Sequence, residues 1–187
     1  MQIPKDAEFK ILVTDTAINH TIFNEIDFSN QRCIDLNLPL IHQGVDSFEL
    51  RIWVNSGMIP SSAVILRYAD DKWIAQKYYY FKQNDIIDSI QIYNMTVPNE
   101  IEHLISFLEK PDVLNLPSQQ AIPNFQDNIA HGQTCTIEIA TKKYYKGLQY
   151  HCPEHFTRDE YHIKFMKILN LLNSHFHFYY PWCKPGE

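Results

Sequence analysis

Residues 47–55, SFELRIWVN, place Phe48, Leu50, Ile52 and Val54 in alternation with Glu49, Arg51 and Trp53. A period of two along a run this long specifies a strand with one face turned to a core. Gly57 and Pro60 interrupt the pattern. The β-branched run AVILRYA (63–69) then follows, apolar on both faces and suited to the inside of a sheet. Asp70-Asp71 turns the chain into KWIAQKYYYF (72–81), the partner strand of a hairpin. SIQIYNMTV (89–97) is a fourth strand, and FKILV (9–13) a short one. QTCTIEIAT (133–141) resumes the alternation with Cys135, Ile137 and Ile139 inward. KYYKGLQYHC (143–152) is its hairpin partner across a weakly marked turn.

Two segments switch to the helical period. After Pro98, which suits a first helical position, Ile101, Leu104, Ile105 and Leu108 form one apolar stripe, and Pro111 ends it. Thr157 and Glu160 have capping-box spacing, with Phe156 and Tyr161 placed as a hydrophobic staple. Phe165, Ile168, Leu169 and Leu172 repeat the stripe, which predicts a helix over 158–173 to match the one over 98–110. Residues 111–131 read as a long loop, 36–44 as a connecting segment, and the first 45 residues carry the weakest pattern. Strands and helices without regular βαβ alternation predict one α+β domain over 1–187. Its sheet is mainly antiparallel, with five or more strands flanked by two or more helices.

A net charge of −6 disfavours nucleic acid, which needs basic surface to displace counterions from phosphate. KKYYK (142–146) is the one locally basic run and reads as a strand face near a turn. Apolar runs fall short of a membrane span. The start MQIPKDAEFK lacks a signal-peptide core, as expected of a cytoplasmic chain or of an exported mature domain. Glycine is too sparse for a phosphate-cradling loop, and no cofactor is expected.

YHCPEHF (150–156) gathers His151, Cys152, Glu154 and His155. On an extended chain His151 and Cys152 point to opposite faces, so one ion cannot easily take both. Cys152 as a nucleophile needs a base held by a third group, and no protease signature surrounds it. A disulfide, with Cys183 as one partner, or a quiet thiol is the preferred reading. His175 and His177 would share a face of an extended C-terminal segment. They are the candidate metal ligands, weighed against an aromatic strand with polar alternate positions. Arg51, Trp53, Arg67, Trp73, Tyr78 and Tyr80 are the candidate binding residues, because an open sheet face bearing them would have the composition of a protein interface. The competing expectation is that the second helix covers this face. The favoured function is therefore a non-enzymatic binding module for a protein partner, an inhibitor- or immunity-like role included. The alternatives are a metal-dependent enzyme using the histidines, and a carbohydrate or small-ligand binder.

The run DNIAHGQTCTIEIATKKYYKGLQYHCPEHF (127–156), with FELRIWV (48–54) before it, resembles uncharacterised bacterial proteins, many of them exported. His131 precedes Gly132 where that pattern carries an acidic residue. The resemblance implies a compact domain and an envelope location, and no catalytic residue.

Overall fold

The computed structural model describes residues 9–12, 29–56, 60–83 and 86–178. Seven strands form one sheet: β1 (Lys10–Ile11), β2 (Phe48–Ser56), β3 (Ser61–Ala69), β4 (Lys72–Gln83), β5 (Ile86–Met95), β6 (Gln133–Thr141) and β7 (Tyr144–His151). Their order is β1-β7-β6-β2-β3-β4-β5. Every pairing is antiparallel except β1 with β7. The α+β class and the mainly antiparallel sheet are as the sequence predicts. The helical segments are α1 (residues 29–35), α2 (Ile101–Leu108), α3 (Pro111–Leu114) and α4 (Glu160–Phe176).

Local chemistry explains the turns. Asp70 and Asp71 both take positive φ, 51° and 59°, the two-residue geometry whose twist matches a hairpin. At the β6–β7 turn the Thr141 hydroxyl accepts the N–H groups of Lys143 and Tyr144, each at 3.1 Å. A hydroxyl thus replaces the glycine or asparagine that a sequence reader looks for.

The alternation of β2 divides the core. Leu50, Ile52 and Val54 join Val64 and Leu66 of β3, Ile137 of β6 and Leu148 of β7 in the main apolar cluster. Ile101, Leu104 and Leu108 of α2 and Phe165, Ile168, Leu169 and Leu172 of α4 close it, so both predicted stripes are buried. On the other face Trp53, Ala63, Ile65, Tyr78 and Tyr80 pack with Cys33 and Leu36 at α1. Burying apolar side chains on both faces stabilises a central strand such as β2 by roughly 1.5–3 kcal/mol per large residue.

Several boundaries differ from the sequence reading. Pro98 lies outside α2, whose N-cap is Glu100. Pro111 does not simply end a helix: it is the first residue of α3, so the segment 111–131 contains this turn and a 3-10 turn at Gln119–Ala121. The Thr157 capping box does not form. Pro153–His155 is a 3-10 turn, and the N-cap of α4 is Asp159, whose carboxylate accepts the N–H groups of Tyr161 and His162 at 2.9 and 3.0 Å. At its other end α4 runs through His175 to Phe176, so no extended C-terminal strand begins there.

Candidate interaction edge

The face proposed for binding is closed. Arg51 and Trp53 are fully buried, and Tyr78 and Tyr80 nearly so. The cover is not the second helix but α1 and the chain after it. The Arg51 guanidinium donates from Nε to Glu49 Oε1 at 2.7 Å, from one terminal nitrogen to Cys33 Sγ at 2.8 Å, and from the other to the Pro39 carbonyl at 2.6 Å. Glu138 accepts from Ser29 Oγ and the Tyr145 hydroxyl, both at 2.6 Å, and from the Trp53 indole. Arg32 of α1 stacks over Trp53 at 5.6 Å. Burial pushes the Cys33 thiol up and the nearby Arg51 only partly offsets this, so the thiolate form is disfavoured. These groups satisfy one another, and the layer works as a fastening between α1 and the sheet.

Arg67 and Trp73 are the two candidates that remain part-exposed. They line an open cleft at the end of the sheet with Phe48, Tyr68, Glu109 and Tyr144. The strand registers put Arg67 beside Glu49 on the α1 face and Trp73 beside Tyr68 on the opposite face, so one ligand does not meet both side chains in a common plane. Trp73 is held edge-on by Tyr68 and Phe48, with ring centroids 5.1 and 5.8 Å away.

The histidine candidates do not converge. His175 lies in the last turn of α4, and His177 is its C-cap at φ 47°. Among the described residues no group of three or more His, Cys, Asp or Glu is placed to hold a metal ion. In YHCPEHF, Cys152 is disulfide-bonded and cannot supply a thiolate, whereas Cys33 and Cys135 are free. Cys183, its partner in the sequence reading, lies outside the described residues. His151 Nδ1 is 2.7 Å from Asp127 Oδ2, a pair that the sequence did not reveal.

The two sheet edges contrast sharply. At β7, Lys10 N–H and Leu12 N–H bond the carbonyls of Lys143 and Tyr145 at 2.9 Å. Further along, the N–H of Gln149 donates to Ser118 Oγ at 3.1 Å, and that of His151 donates to Gln119 Oε1. A short parallel strand and two side chains therefore occupy this edge. No strand among the described residues pairs with the outer side of β5. Its ten residues, IIDSIQIYNM, hold one charged side chain, Asp88, and neither lysine nor proline, the usual guards of an exposed edge. Eight large apolar side chains are exposed among the described residues, and Phe81, Ile90, Ile92 and Tyr93 put half of them on β4 and β5. Ile90 and Ile92 stand opposite Tyr80 and Tyr78, while Tyr93 is on the reverse face, edge-on to Tyr79 at 6.0 Å. A strand over 89–97 was readable in the sequence, but that it ends the sheet was not.

Comparison of the chain with known protein families and with curated proteins gives no match.

Proposed function

We propose that this protein is a non-enzymatic binding module that engages a protein partner by taking an extended segment of it as an eighth strand against β5. The observation that carries this reading is the asymmetry of the edges: β7 is occupied by β1 and by side-chain caps, whereas no described strand pairs with the outer side of β5, a long strand with a single charged residue. Main-chain bonds to such an edge supply affinity, and alternate side chains supply specificity. Ile90 and Ile92 on one face and Tyr93 on the other would grip the added strand from both sides. An inhibitor- or immunity-like role fits the same mode, with the target's own strand as the segment bound. The net charge of −6 favours a protein over a nucleic acid as partner. No described helix is long and apolar enough to cross a membrane.

Selection of ten-residue peptides from a random displayed library tests the reading. It expects β-patterned apolar peptides whose affinity falls at least tenfold with Ile92→Lys, while the variant keeps the parent circular dichroism and Tm. A library without binders, or binders indifferent to Ile90→Lys and Ile92→Lys alike, would overturn it.

A further inference from the structure

The pair formed by His151 and Asp127 sits in a concavity of about 480 Å³ on the α1 side of the sheet, well away from β5. Its floor is the β6–β7 hairpin, where register places Thr134 opposite His151 and Thr136 opposite Gln149. Its wall is the segment after α3, which contributes Gln119, Phe125 and Asp127. The wall is pinned to the floor by Ser118 and Gln119 on the β7 amides and by the Tyr150 hydroxyl donating to the Pro117 carbonyl at 2.7 Å. The volume lies within the roughly 300–1,000 Å³ of small-molecule sites.

The polar groups are fixed in ways that define what they can read. An ionised carboxylate only accepts, so the proton of the bond to Asp127 belongs to His151 Nδ1. In the neutral ring this leaves the Nε2 lone pair as an acceptor. Asp127 is itself held, with Oδ1 accepting the Ile129 N–H at 3.0 Å. The Gln149 amide donates to Thr136 Oγ1 at 3.3 Å, which leaves its carbonyl oxygen for a ligand's donor. Asp127 and His151, the acidic and the imidazole side chain of the lining, are bonded to each other. The lining thus offers fixed donors and acceptors, and its one carboxylate is already bonded to the His151 ring and the Ile129 N–H. No lysine or arginine lines it to attract an acidic ligand, and half-buried Phe125 adds an aromatic surface.

We infer that this concavity is a binding site for a neutral, hydroxyl-rich ligand of the carbohydrate class. Ligand hydroxyls donate to His151 Nε2 and the Gln149 carbonyl and meet the Thr134 hydroxyl, while the C–H face of a sugar ring lies on Phe125. The site is independent of the β5 edge and uses none of the binding residues that the sequence suggested.

A glycan array with the full chain, followed by calorimetric titration of the sugar it selects, tests the assignment. The expected result is a neutral glycan whose Kd rises at least tenfold with His151→Ala and severalfold with Thr134→Val. Ile92→Lys should leave that Kd unchanged. Thr134 makes no side-chain bond that the fold needs, so this second variant keeps the test decisive if His151→Ala loosens the wall. The inference is overturned if no neutral glycan binds, if only charged glycans do, or if binding ignores both substitutions.

Discussion

The indole N–H of Trp53 donates to Glu138 in the layer between the sheet and α1, and the same carboxylate takes the hydroxyls of Ser29 and Tyr145. One buried acid thus joins β2, β6, β7 and α1. Glu138→Ala would strand three buried donors at once and is expected to cost about 3–5 kcal/mol. Trp53→Phe, which removes one donor and some volume, should cost less than Glu138→Ala. Urea unfolding midpoints read both. A Glu138→Ala protein as stable as the parent would show that the carboxylate does not hold α1.

Asp159, not Thr157, caps α4. Asp159→Ala should lower stability by about 1 kcal/mol near neutral pH, and Thr157→Ala by much less. Partial burial works to raise the Asp159 pKa, but the His162 ring and the backbone N–H groups of His162 and Tyr161 outweigh it and leave the pKa lowered. A lowered folded-state pKa means a contribution present above the unfolded carboxylate value and lost as pH falls through the folded one. The gap between parent and Asp159→Ala should therefore narrow below about pH 4. Urea titrations at pH 7 and pH 3 check the sign.

The Asp70-Asp71 turn strains two residues at positive φ. Asp71→Gly relieves one of them and should raise stability by about 1 kcal/mol. A thermal melt showing no gain, or a loss, would mean that the Asp71 side chain contributes something the backbone geometry does not reveal.

Thiol chemistry separates the cysteines. Denatured without reductant, the chain should titrate two thiols, from Cys33 and Cys135. In the folded protein both should label slowly, since burial raises both pKa values and Cys135 is wholly enclosed. Fast labelling of Cys152 near neutral pH would return YHCPEHF to the catalytic candidates.

Strands were legible in this sequence because β2 and β6 keep strict alternation and β3 is a β-branched apolar run, and both helices of the main core show as apolar stripes. Helix α1 was not, for a physical reason. Its buried positions include Ser29 and Arg32, so the side turned to the sheet is largely polar and no stripe forms. Without α1, the aromatic and charged face of β2–β4 read as open. The cap of α4 was misread because Thr157 and Asp159 both suit an N-cap, and only the 3-10 turn after Cys152 decides where the helix begins. Sheet order is a tertiary property, so nothing local marks β5 as an edge.

Amide hydrogen exchange of the isolated protein tests the open edge most directly. If the outer side of β5 is bare, alternate amides across 88–94 exchange near open-chain rates, while the Gln149 and His151 amides at the opposite edge are protected by Ser118 and Gln119. Uniform slow exchange along β5, matching β2, would mean that the edge is already covered and would contradict strand addition there.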